Sequence, residues 1–250
     1  MLVRATDEGA LVIGQLSHAW TAGQLARAWG NERVPGADPF AEVVLGAEQH
    51  DIGWSAFDLR PPLNPDTGLP RNFLELSVEQ HLTIWRPAPE RLLSQSAHAA
   101  LAVSMHGSSL SQLRLRTGAG GAQARELRAH VDFEHERQAA LRRALDVSEA
   151  HAERTRRQMW TWDGLSLALC MGWHPFTCKD VPARDGLTDI ELRDAAEGDS
   201  TLDPWPFAAG RLEVRCEARE LTHRYDDEDE MHEELARARP RTLAFVLARG

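Results

Sequence analysis

The chain has 250 residues, 42% of them apolar and 26% charged, with a formal net charge of −10. That is an ordinary globular composition, long enough to bury a core of its own, and its acidity argues against a nucleic-acid backbone as a partner of the whole surface. No apolar run approaches the roughly 18–20 residues a membrane helix needs, so no membrane partner is expected.

Met1–Gly14 carries Arg4, Asp7 and Glu8 in place of a signal-peptide layout. Cys170, Cys178 and Cys216 are an odd number with no C-x-x-C spacing. That points to a reducing cytoplasm and away from a disulfide framework or a zinc knuckle. Lys179 is the only lysine, the other cations being arginines.

In chain order, Leu2–Arg4 and Leu11–Ile13 read as a hairpin turning at Asp7-Glu8-Gly9. Ser17 offers an N-cap for a helix from His18 to Trp29, which Gly30-Asn31 stops. Asp38-Pro39 starts a second helix that presents Phe40, Val43, Val44 and Ala47 and delivers His50 and Asp51 near its end. From Asp58 to Phe73 repeated prolines and glycine break regular structure, leaving a loop suited to form one wall of a pocket. Helix resumes at Leu76–Trp85 and again from Pro89 to about Met105. Two long charged helices follow, over Ala122–Leu145 and Ser148–Met171.

After Gly172 the character changes. Asp203-Pro204-Trp205-Pro206 is a rigid turn, and Leu212–Thr222 and Thr242–Leu247 read as strands. Between them lies an acidic run, Asp226–Glu234, read as a solvated face or a partner surface. The expected architecture is mainly α. One domain spans residues 1–250, with a helical core over 17–175 and a small antiparallel sheet from segments 1–16 and 205–250.

His18, His50-Asp51, His81, His106 and Asp163 stand at steps of 32, 31, 25 and 57 residues, enough to put each point on its own helix. A carboxylate can bridge two ions while neutral imidazoles fill the outer positions. Six such side chains therefore suit a site for two divalent ions, iron or manganese foremost and zinc as a further fit. Asp163 lies between Trp162 and Leu165, where a carboxylate is costly unless it is paired or bound to a cation. The other histidines read more simply: His98, His130, His135 and His151 as solvated or supporting, and His174, His223 and His232 as outside the helical body.

The stretch from His18-Ala-Trp-Thr-Ala-Gly-Gln-Leu-Ala through Ala47-Glu-Gln-His50-Asp51-Ile-Gly-Trp, closed by Trp162-Asp163-Gly164-Leu165, resembles the HD-domain superfamily of metalloproteins. The additional His81 and His106 are similar to its dinuclear branch, which includes phosphohydrolases and inositol-oxygenase-like diiron oxygenases. The chain also looks like an uncharacterised bacterial family of that kind, with a His-Asp-x-Gly-Trp motif and an Asp-Pro-Trp-Pro-Phe turn.

The resemblance implies a helical bundle and a metal-dependent hydrolase acting on a small molecule, with Asp51 in the catalytic role. A mixed-valent diiron oxygenase and a non-catalytic ligand sensor are the alternatives, and homo-oligomerisation is left open. Many HD enzymes carry a lysine shortly after the His-Asp pair; here Trp54 stands there. Any anionic group on the substrate would then fall to the metals or to Arg60 or Arg71 of the Pro-rich loop.

Overall fold

Leu2, Ala10 and Ile13 have no solvent exposure, because the first two strands turn one side of their alternating pattern into the protein. The structure, a computed structural model, describes residues 1–195 and 198–250. Strands β1 (Leu2–Ala5) and β2 (Ala10–Ile13) form the expected hairpin. Helices α1 (Gln15–Ala28) and α2 (Phe40–Glu48) follow, then a 3-10 turn (Ile52–Trp54) and α3 (Ser55–Leu59). The Pro-rich loop holds a two-residue ladder of β3 (Leu63–Asn64) and β4 (Leu69–Pro70).

Next come α4 (Val78–Trp85), α5 (Glu90–Leu93), α6 (Ala97–Arg116), α7 (Gly121–Leu145) and α8 (Glu149–Met171). Local chemistry sets several of these ends. Ser77 and Gln80 form a reciprocal capping box on α4, and the Ser148 hydroxyl accepts from the His151 amide at the start of α8. Gly172 ends α8 at φ 69°, in the left-handed region that glycine enters without a Cβ clash. Ser17 is not the cap of α1; the helix begins two residues earlier, and the Ser17 side chain bonds the backbone of Glu217 instead.

The remainder is β5 (Phe176–Ala183), β6 (Gly186–Asp194), β7 (Ser200–Asp203), β8 (Arg211–Leu221), α9 (Glu228–Arg237) and β9 (Arg241–Arg249). This overturns the expectation of a mainly helical protein with a small antiparallel sheet. The sheet has seven strands in the order β1-β2-β8-β9-β7-β6-β5, and it is mixed, because β7 and β9 run parallel. Strands β5 to β7 are the part that the sequence pattern hides. In β5 the register shifts between Cys178 and Val181 around Asp180, at φ 56°, and Pro182 lies further along. A bulge of this kind breaks the two-residue alternation by which a strand is read.

One face of the sheet carries Val181, Ile190, Leu192, Leu202, Val214 and Leu247 into a core shared with α1, α2 and α8. Trp162 is fully buried there, with its ring edge-on to Trp29 at 6.0 Å. The acidic run forms α9: Asp227 caps it, and Met231 and Leu235 pack against Met1, Val12 and Leu221. Among the described residues no helix is long and apolar enough to cross a membrane.

Candidate metal centre

Helix α1 buries Ala22, Leu25 and Ala26, with Trp29 just past its end, against the sheet, and this face carries His18 inward with them. Helix α2 does the same with Val43, Val44 and Ala47, then ends, and the turn at Gln49 swings His50 and Asp51 into the interior. The glycine of the His-Asp-x-Gly-Trp motif has a steric reason: a Cβ at Gly53 would overlap the Ile84 carbonyl oxygen on α4. Gly53→Ala is therefore expected to cost about 1–3 kcal/mol by overpacking and to disturb the turn that holds the pair. An unchanged urea midpoint would show that the turn has room.

His106 comes from the buried, small-residue stretch of α6, where Gly107 lets the Trp85 ring approach. Asp163 comes from the inner face of α8. These residues meet. His18 Nε2 lies 2.7 Å from Asp51 Oδ2 and 4.0 Å from Asp163 Oδ1. His50 Nε2 lies 3.3 Å from Asp163 Oδ1 and 3.7 Å from Asp51 Oδ2, and His106 Nε2 lies 3.8 Å from Asp163 Oδ2. All five side chains are buried, Asp163 being the most exposed at 8%.

Hydrogen bonds behind the rings decide which nitrogens face the centre. His50 Nδ1–H donates to the Ala47 carbonyl at 2.8 Å. The Ser166 hydroxyl donates to the Asp163 carbonyl at 2.8 Å and so is left to accept from His18 Nδ1–H at 2.9 Å. In the neutral rings both Nε2 lone pairs then point inward, the arrangement that orients ligating imidazoles. A lone pair 2.7 Å from a carboxylate oxygen is repelled unless a proton or a cation is shared between them. His50 Nε2 has no hydrogen-bond partner. The donors fit a divalent ion, and two overlapping triads could hold one: His18, His50 and Asp163, or His50, Asp51 and His106.

The metal-free charges are arranged to match. Burial, the largest single effect on His50, pushes its pKa down, but Asp51 and Asp163 together outweigh it and raise it to about 9. Burial pushes Asp163 up, and the surrounding His50, His106 and His18 bring it below the usual carboxylate range. For His106 burial prevails, and its pKa falls to about 4.

The sixth expected ligand stands aside. His81 Nε2 bonds Ser111 Oγ at 2.9 Å, and the Trp85 ring lies against both it and His106, at 6.2 and 5.3 Å. The residues expected to line a substrate pocket are elsewhere. Trp54 is buried in an apolar cluster with Ile84 and Trp85, Arg60 is exposed and paired with Asp229 at 3.0 Å, and Arg71 lies between β4 and the next turn. The Pro-rich loop packs beside α9.

Two buried residues went unread in the sequence. His130, expected in solvent, is 3% exposed with neither ring nitrogen bonded, and one turn further along α7 Glu134 accepts from Ser104 at 2.7 Å. The i, i+4 spacing of these two residues on an otherwise charged helix was the available signal.

A family described as "Protein of unknown function (DUF3891)" matches residues 1–223, a stretch that contains every residue of the centre, and the chain belongs to that family. No curated protein and no solved structure matches it.

Proposed function

We propose that this member of the DUF3891 family is a metal-dependent hydrolase of a small molecule, using two divalent ions held by His18, His50, Asp51, His106 and Asp163, with His81 recruited from Ser111 for the second. The observation that carries the reading is the meeting of five buried donors around His50 Nε2, which lies 3.3 Å from Asp163 Oδ1 without a well-formed hydrogen bond. The order of these residues along the chain, which resembles that of HD-domain metalloproteins, supports the same reading. When bound, such ions lower the pKa of a coordinated water and polarise the bond to be cleaved.

The protein's own part is positioning. Ala47 and Ser166 fix the His50 and His18 rings, and Asp51 and Asp163 supply the negative charge that balances the cations. Other nucleophiles are poorly placed. Cys178 is buried and its thiol is pushed up to about 12, chiefly by burial, and Ser166 is occupied in orienting His18.

Both triads use His50, and one imidazole lone pair serves one ion. A second ion therefore needs His106, a bridging carboxylate and His81, freed from Ser111. Elemental mass spectrometry should find two ions per chain in the native protein and one in His81→Ala. A single ion in both would reduce the centre to a mononuclear one. Hydrolysis of activated phosphate and carboxylate esters under argon, with manganese or zinc restored, tests the reaction itself. Turnover only with iron and dioxygen would replace the hydrolase by an oxygenase, and full occupancy without turnover on either panel would leave a ligand sensor.

A further inference from the structure

A cleft of about 960 Å³ opens between α6, α7, α8 and β5, within the size range of small-ligand sites. Five cations line it, Arg116, Arg142, Arg156, Arg157 and Lys179, against three carboxylates, in a chain whose net charge is −10. Glu153 binds Arg156 and Arg157, each at 2.7 Å. Arg116, Arg142 and Lys179 have no carboxylate partner within salt-bridge distance among the described residues, and they come from three different elements. Cations left unpaired on the walls of a concave surface focus potential on anionic ligands.

The cleft also adjoins the metal centre. Trp160 lies in its wall, and its ring is 6.1 Å from that of His106. Met105 and Gly164, the chain neighbours of His106 and Asp163, line it as well. Trp160 and Asp163 are three residues apart, so the side of α8 that faces the cleft turns directly into the side that holds the ligand. Phe176 adds a second aromatic surface.

We propose that this cleft is the substrate pocket of the centre and that it selects a small organic polyanion, its charged groups met by Arg116, Arg142 and Lys179 and its apolar part by Trp160 and Phe176. The inference rests on the metal-centre reading given above. Cations on three separate elements call for a ligand with more than one anionic group. They also fill the role for which the sequence offered only Arg60 and Arg71.

Lys179 provides an independent readout, because it is the only lysine in the chain. Its acylation by an amine-reactive ester can be followed by peptide mass spectrometry, with inorganic tripolyphosphate as the probe and ionic strength matched with chloride. Saturating tripolyphosphate is expected to slow acylation of Lys179 about tenfold, as it should at roughly ten times the dissociation constant. The protection should persist after metals are stripped and disappear in Arg116→Gln/Arg142→Gln, whose changed side chains are exposed at 116 and half-buried at 142. Citrate in place of tripolyphosphate distinguishes a polycarboxylate from a polyphosphate preference.

Absence of protection, or equal protection in the double variant, would overturn the inference. Protection that vanishes on stripping would place the anion on the metals and overturn it too. Protection in a protein that never holds stoichiometric metal would keep the cleft and remove the hydrolase reading alone.

Discussion

His50→Ala and Asp163→Asn should each leave a folded chain without stoichiometric metal and without metal-dependent turnover. His50 is common to both triads, so its loss removes a donor whichever of them holds the ion. Asp163 lies within 4.0 Å of His18, His50 and His106 at once. The amide that replaces its carboxylate keeps the shape and loses the charge that gathers three imidazoles. Removing groups that merely support ligands typically costs 10–100-fold in metal affinity, so each of these changes should exceed about a hundredfold.

Ser166→Ala calibrates the scale, since the Ser166 hydroxyl meets a ligating side chain only at His18 Nδ1, its other bond being to the Asp163 backbone carbonyl, and should fall within that smaller range. His130→Ala is the control for burial alone. It empties a buried imidazole site on α7 that belongs to neither triad, and metal content should not change. Elemental analysis alongside circular dichroism separates loss of ligand from loss of fold. Full metal content in either His50→Ala or Asp163→Asn would refute the site.

The site was more legible in the sequence than the fold around it. His18, His50, Asp51, His106 and Asp163 stand out because ionisable side chains on or just beyond apolar helices are costly when buried unless satisfied, and that cost shows in the pattern without knowledge of the tertiary structure. His81 obeyed the same pattern, yet its partner is Ser111, thirty residues along the chain. A lone serine on a helix announces nothing.

The sheet failed for a different reason. Strand β6 offers only Ile190 and Leu192 to the core, β7 is four residues long, and β5 is broken by its bulge. These strands are specified by pairing outward from β9, which holds β7, which holds β6, which holds β5, and by the apolar faces of the helices beneath them, information spread over the whole chain. The cleft was equally hidden, since its cations come from elements scattered between residues 116 and 179.

Buried imidazoles should also make the stability of the protein depend steeply on pH, in a way that reveals the bound metal. His81 is held near 3 by burial, with Arg114 and His130 adding to it. His106 is held near 4, and so is His130, again chiefly by burial. In the unfolded chain all three take up protons around pH 6.5. Below that pH the unfolded state binds up to three protons that the native state refuses, so stability falls on acidification, at a limiting rate of roughly 4 kcal/mol per pH unit.

His50 acts in the opposite sense. With its pKa raised to about 9 by Asp51 and Asp163 against the effect of burial, the metal-free native state keeps a proton that the unfolded chain has released. That contribution is complete below pH 6.5 and is lost as pH rises through about 9, on the order of 3 kcal/mol in all. These four imidazoles alone would make metal-stripped protein most stable near pH 6.5, with the Met1 amine, lowered by burial, opposing His50 on the alkaline side.

An ion on His50 Nε2 takes the place of that proton, so the loaded protein should keep its stability across the alkaline limb and lose only the acid one. Urea denaturation of both forms, from about pH 5 to 9, reads the difference directly. A stripped protein whose midpoint runs parallel to that of the loaded form between pH 6.5 and 9 would mean that His50 does not share a proton with the two carboxylates. The charge arrangement on which the metal centre is built would then be wrong.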